Sequence, residues 1–219
     1  MKKVGVILSG CGYLDGAEIH EATSVLIALS QRGVVYRCLA PSKPLAVVDH
    51  RTGKPTGETR DVLTESARIA RGEIDDLKTV KGSDFSALIL PGGFGAAKNL
   101  CGFAERGPAC EVDPEVERVL REAHAAGRPI GFACIAPALG ARVFGAEHPV
   151  LTIGHDAGTA AAIEQTGARH RAVGVTEVVV DAERRFVSTP AYMEHANPGE
   201  VFEGVSKMVG EVLGMVGGH

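Results

Sequence analysis

The chain has 219 residues, 45% of them apolar and 23% charged, with a net charge of -4 and a pI of about 6.1. That length suits one α/β domain better than two small ones, and the apolar fraction can build a core without disulfides. The weak negative charge argues against nucleic acid or a membrane surface as a partner, which leaves small molecules and other proteins.

Five cysteines without a Cys-x-x-Cys pair or a Cys/His ladder argue against a disulfide framework and against structural zinc. The expected setting is a reducing cytoplasm. The start of the chain, Met1-Lys2-Lys3 followed by an apolar run and Leu8-Ser9-Gly10-Cys11, imitates a lipoprotein signal. Its apolar run, residues 4–8, falls short of the roughly 7 to 15 residues of a signal h-region, so lipidation is not expected. No stretch reaches the ~20 apolar residues of a membrane span.

Residues 4–8 read instead as a buried first strand, turned at its end by Gly10-Cys11-Gly12. Over residues 17–31 apolar side chains recur at Ile19, Ala22, Val25, Leu26 and Leu29, which is helical spacing. Gly33 caps that helix and residues 34–40 form a second strand, so the opening is a parallel crossover unit. Residues 43–82 break the pattern: an apolar piece at 45–49, the turn-rich Arg51-Thr52-Gly53-Lys54-Pro55, and a helix over 59–71. This reads as a small insertion serving as a lid, a subunit contact or a solvated surface.

Order returns with a strand over 86–90 that runs into Pro91-Gly92-Gly93-Phe94-Gly95. A helix over 112–126 opens with Asp113-Pro114-Glu115 as cap and first turn and stops at Gly127. Further on come a strand at 150–153, a short helix at 158–165, a hairpin of 176–180 with 186–189, and an amphipathic closing helix over 201–216.

Residues 129–139, P-I-G-F-A-C-I-A-P-A-L, organise the rest. An apolar strand ends at Cys134 and a helix begins at once, with Pro137 in its first turn. Gly131, Ala133 and Ala136 relieve the crowding of such a turn. This is a nucleophile elbow with sulfur in place of hydroxyl, and the helix-terminal N–H groups should lower the thiol pKa. The competing reading is an inert cysteine finishing a core strand.

Three loops, 10–16, 91–95 and the Cys134 turn, follow strand C-termini and should converge on one sheet edge, where ligands bind. Gly92-Gly93 and the Ile135 N–H could hold an oxyanion, or the glycines could simply make a tight turn. Glu18 and Glu21 share one face of the first helix. A carboxyl beside the sulfur would have a raised pKa and could carry a proton, or the two acids could merely complement the helix dipole. Dinucleotide binding at Gly10-x-Gly12-x-x-x-Gly16 fails on spacing.

The stretches G-F-A-C-I-A-P-A, L-P-G-G-F-G-A-A-K-N and G-A-E-I-H-E resemble the ThiJ/PfpI family of the class I glutamine amidotransferase-like superfamily. Together with V-I-L-S-G-C-G and T-P-A-Y-M, and over nearly the whole chain, they resemble its ElbB group of isoprenoid-linked glyoxalases, known as enhancing lycopene biosynthesis proteins. The resemblance implies a single domain over 1–219 with the insertion at about 43–82. Its fold would be a flavodoxin-like open sheet, mostly parallel, with helices on both faces.

The same resemblance implies Cys134 as nucleophile, Glu21 as the facing carboxylate, His155 as a third catalytic group, and Gly93 and Ile135 as the oxyanion hole. Gly92 and Cys11 would bind substrate. The implied reaction turns methylglyoxal or glyoxal into a hydroxy acid without glutathione, metal or cofactor, in a homodimer. An alternative is a non-catalytic redox or stress-response protein with an oxidisable Cys134. Glutamine hydrolysis is not expected, because the His-x-Glu pair of glutaminases is replaced by T-P-A-Y-M-E-H-A-N-P around Glu194 and His195.

Overall fold

The computed structural model describes residues 3–217, so Met1 and Lys2 of the leader-like start lie outside the described residues. The rest of that start is structural: its apolar residues form β1 (Val4–Ile7), buried throughout. The chain continues through α1 (Ile19–Gln31), β2 (Tyr36–Ala40), β3 (Pro44–Asp49), β4 (Lys54–Asp61), α2 (Val62–Ile69), β5 (Ile74–Asp76) and β6 (Ala87–Leu90). Then come α3 (Phe94–Lys98), α4 (Phe103–Arg106), α5 (Pro114–Ala125), β7 (Ile130–Ala133), α6 (Ala136–Phe144) and β8 (Val150–Leu151). The chain closes with α7 (Ala157–Gln165), β9 (Arg169–His170), β10 (Val179–Asp181), β11 (Phe186–Thr189) and α8 (Pro198–Met215).

Seven strands form one sheet in the order β10-β11-β7-β6-β1-β2-β5. Every neighbouring pair is parallel except β10 with β11. The strands alternate their side chains between two layers, as the pleat requires. Ile7, Leu88, Leu90, Ile130 and Phe132 face a layer with Leu120 of α5 and Leu139 and Phe144 of α6. Val4, Val6, Ile89 and Val187 face Val25 and Leu29 of α1 and Val205 and Met208 of α8. Each such side chain contributes roughly 1.5–3 kcal/mol by leaving water, before chain entropy is charged against it. The result is the flavodoxin-like, mostly parallel sheet of class I glutamine amidotransferase-like proteins, covered on both sides.

Two parts depart from the sequence reading. Within residues 43–82, β3 and β4 pair as an antiparallel hairpin outside the main sheet, but β5 pairs parallel with β2 and extends the sheet edge. The helix expected from residue 59 starts only at Val62, because the Asp61 side chain accepts the Thr64 N–H and caps it there. The strand expected over 150–153 is short and pairs with β9 in a separate parallel ribbon. No helix among the described residues is long and apolar enough to cross a membrane.

Candidate active site

The turn after β7 has the geometry of an elbow. Cys134 sits at φ 59°, in the left-handed region that a side chain enters only under constraint. Its N–H donates to Thr189 O at 3.0 Å, which ties the turn to the end of β11, and α6 follows at Ala136 with Pro137 in the first turn. The glycine that makes room for it is not the one expected. A Cβ on Gly131 would press on Val212 and Met208 of α8, so that position serves helix packing. A Cβ on Gly92 would come 2.4 Å from Cys134 Cβ and 2.9 Å from both its sulfur and Glu21 Oε2. Gly92 is therefore the floor on which the thiol and the carboxylate meet.

Glu21 reaches this point from the first turn of α1 and is 0% exposed. Its Oε2 accepts the Gly92 N–H at 2.8 Å, and its Oε1 accepts the Tyr192 N–H at 3.3 Å. Glu18 caps the helix by accepting the Glu21 N–H at 2.7 Å. Burial and then the Glu18 charge push the Glu21 carboxyl up from 4.5 to about 7, against the pull of the Cys134 thiol and the two N–H groups.

The thiol does not behave as the elbow suggested. The N–H groups of Gly93 and Ile135 do act on the Cys134 sulfur and favour its anion, but burial and then the Glu21 charge outweigh them and raise its pKa well above 9.0. The expectation of a lowered thiol pKa is thus corrected: a partial positive charge from two amides cannot offset lost hydration plus a neighbouring carboxylate. Cys134 keeps 8% of its surface open to solvent. A thiol in contact with a carboxyl that titrates near neutrality can hand over its proton as it attacks, so a standing thiolate is not required.

Gly93 holds its place by backbone shape. At φ 92° it begins α3, and a Cβ there would strike Glu18 N and Gly16 O, both at 2.4 Å. The loop carrying the first helix and the loop carrying the amide donor are thus packed backbone to backbone.

The structure brings Cys134, Glu21, Gly92, Gly93 and Ile135 together. His155 and Cys11 lie apart from that group. The His155 backbone N–H donates to Glu194 Oε1 at 2.7 Å, and its Nδ1 lies 2.9 Å from the same oxygen on a side chain that is 61% exposed. Among the described residues no hydrogen bond joins it to Cys134 or Glu21. Cys11 lines a different recess, beside Asp15, His50 and Glu65.

Tyr192 is the contributor that the sequence reading left without a role. Its N–H holds Glu21, and its hydroxyl meets His20 Nδ1 at 2.7 Å. The stretch T-P-A-Y-M at the end of β11 was the available signal, but nothing in it says that a backbone N–H will face a carboxylate from a distant helix. Among the described residues no cluster of three or more His, Cys, Asp and Glu side chains is arranged to hold a metal ion.

No protein-family model matches the chain. Individual proteins do. The human glutamine amidotransferase-like class 1 domain-containing protein 3, mitochondrial, is 48% identical over 227 residues, covering 98% of this chain and 84% of its own. The rat ES1 protein homolog, mitochondrial, is 46% identical with the same coverage.

Among solved structures, an isoprenoid biosynthesis protein with an amidotransferase-like domain from Ehrlichia chaffeensis superposes with a TM-score of 0.92. It is 34% identical and covers 98% of this chain and 99% of that one. Glyoxalase III from Candida albicans shares the fold alone, with a TM-score of 0.63 at 12% identity and coverage of 98% and 97%.

The relatives also correct the expected cytoplasmic setting, since the human, rat and zebrafish proteins are all named as mitochondrial. Five cysteines without a pairing pattern do not say which compartment holds the protein. With near-half identity across almost its full length to the human and rat proteins, the chain belongs to the ES1 family of glutamine amidotransferase-like class 1 proteins, on the DJ-1/ThiJ/PfpI fold.

Proposed function

We propose that the chain is a cofactor-independent glyoxalase of the ElbB type, acting on small α-oxoaldehydes such as methylglyoxal and glyoxal. The observation that carries this reading is the buried Cys134–Glu21 pair on Gly92, with the Gly93 and Ile135 amides facing the sulfur.

As the Cys134 sulfur bonds to the aldehyde carbon, Glu21 takes the thiol proton, and the new oxyanion rests on the two amides until Glu21 passes that proton to it and is again a free carboxylate. Glu21 then removes the proton from that carbon, giving an enediol, and a proton returns to the adjacent carbon. The product of this transfer is a 2-hydroxyacyl thioester. Water attacks the thioester carbonyl, the C–S bond breaks, and the sulfur regains its proton as lactate or glycolate leaves. The sum is aldehyde plus water to hydroxy acid, with no net oxidation. A carboxyl that titrates near 7 suits both directions of proton transfer.

The alternative is a redox protein acting through oxidation of Cys134, in which peroxide rather than an aldehyde would meet the sulfur. The deciding experiment incubates purified protein with methylglyoxal and follows lactate, beside Cys134→Ala and Glu21→Gln. Lactate from the native chain and none from Cys134→Ala is the expected result. No lactate from the native chain, or undiminished lactate from Cys134→Ala, overturns the proposal.

A further inference from the structure

Tyr192 meets α1 twice, once through its backbone and once through its ring. It sits in the short 3₁₀ turn Ala191–Met193 that follows β11. Its N–H reaches Glu21 Oε1 at 3.3 Å, the longer of the two backbone bonds to that carboxylate, since the Gly92 N–H stands 2.8 Å from Oε2. A bond at the far end of the ordinary range is lost by a small movement of either partner. Whatever keeps the turn in place therefore decides how Glu21 is held.

The turn needs outside support. Ala191 is buried at φ 45°, in the left-handed region that a residue with a Cβ occupies only when its surroundings impose it. Upstream, Thr189 O accepts the Cys134 N–H at 3.0 Å, and downstream Glu194 Oε1 accepts the His155 N–H at 2.7 Å. Between these two ties the Tyr192 hydroxyl lies 2.7 Å from Nδ1 of His20, the residue before Glu21 on α1. One short side-chain bond thus joins the turn that supplies a donor to the helix that supplies its acceptor.

We propose that Tyr192 and His20 are positioning residues of the Cys134 site: their side-chain hydrogen bond clamps the turn after β11 onto α1 and keeps the Tyr192 N–H on Glu21. The clamp works in either charge state of His20, because Nδ1 accepts the phenol proton when bare and donates to the phenol oxygen when protonated.

The ionisable groups that act on Glu21 are Glu18 of α1, Cys134 of the turn after β7 and Tyr192 of the turn after β11. His20 stands beside them, with Nδ1 3.9 Å from Glu18 Oε1, and loop 91–95 contributes the Gly92 N–H. The phenol is itself pushed up by burial, Glu18 and Glu21, so it stays neutral where Glu21 titrates. The Tyr192 N–H favours the Glu21 anion, and loosening the clamp moves that carboxyl still further above its ordinary 4.5. Any effect on rate rests on the glyoxalase reading, whereas the clamp itself is read at Glu21 without a substrate.

The test follows the side-chain carboxyl resonances of the full chain, labelled with ¹³C-glutamate, against pH, with Glu21 assigned by the signal missing from Glu21→Gln. The same titration is run on Tyr192→Phe, His20→Ala and His20→Asn. Asparagine offers an oxygen near the place of Nδ1 but no charge, which separates the clamp from any charge on the imidazole. The expected result is an inflection that moves up by about 0.5–1 on the pH scale in Tyr192→Phe and His20→Ala, the size of one lost hydrogen bond, and returns toward the native position in His20→Asn. An inflection unmoved in Tyr192→Phe or in His20→Ala overturns the proposal, and so does a shift in His20→Asn as large as that in His20→Ala. The His20 side chain is 55% exposed, so its two variants decide the matter even where Tyr192→Phe fails to fold. The expected shifts in a chain that forms no lactate would support the clamp and remove the glyoxalase reading.

Discussion

Cys11 follows β1 and Cys134 follows β7, two parallel strands of one sheet, yet their surroundings differ in kind. Both thiols are pushed up, each chiefly by burial, and each has a carboxylate as the next cause: Glu65 for Cys11 and Glu21 for Cys134. At Cys11 the carboxylate is tied to Arg60 and Arg68. At Cys134 it is held by two backbone N–H groups and the thiol itself, is pushed up to about 7, and shares the sulfur with two amide donors. Reactivity at a buried thiol therefore depends less on how acidic it is than on whether a neighbour can take its proton and a donor can receive the charge that follows.

That contrast breaks most directly at the sulfur. Cys134→Ala should reduce lactate formation from methylglyoxal to the level of a protein-free control, as loss of a nucleophile does elsewhere. Glu21→Gln should lower kcat by about a hundred- to ten-thousandfold while the chain still folds, the usual range for a lost general base. In the native chain kcat/KM should rise with pH through about 7 as Glu21 ionises, and this inflection should be missing from the residual activity of the variant.

Stability should move the opposite way. The folded-state value of Glu21 lies above its ordinary 4.5, so its contribution is fully present below that pH and is lost as pH rises through about 7. A shift of this size corresponds to an effect on the order of 3 kcal/mol, visible as a urea midpoint that falls between pH 5 and 8 and changes less in Glu21→Gln.

Gly92→Ala would push a methyl to 2.4 Å from Cys134 Cβ, and it should cost about 1–3 kcal/mol in denaturation together with a loss of rate. The smallest effect is expected at the other thiol. Cys11→Ser should lower kcat/KM by less than about tenfold, since no group around it completes a proton relay to the Cys134 site. A larger loss there would mean the two thiols work together.

A strand running into Cys134, with Pro137 just inside the following helix, suggested the elbow, and the family resemblance favoured it over an inert cysteine at the end of a core strand. Helical spacing put Glu18 and Glu21 on one face of α1 without choosing between them, and it was the resemblance of G-A-E-I-H-E that singled out Glu21. The hairpin was not legible, since Lys54-Pro55-Thr56-Gly57-Glu58-Thr59-Arg60-Asp61 has no alternating apolar face to announce β4. His155 was expected to follow a strand of the main sheet, but β8 pairs with β9 in a separate ribbon, and its partner Glu194 lies 39 positions away where no local pattern links them.

What the sequence determined by itself was the run of β1, α1, β2, β6, α5, β7 and α8 and the glycine-bearing loops 10–16 and 91–95, because periodicity and glycine positions act locally. What only the tertiary structure decided was the proton inventory. Burial of Cys134 against Glu21, the Tyr192 N–H and the exact seat of Gly92 arise from four separate segments meeting, and the charge on each group depends on how much water that meeting excludes.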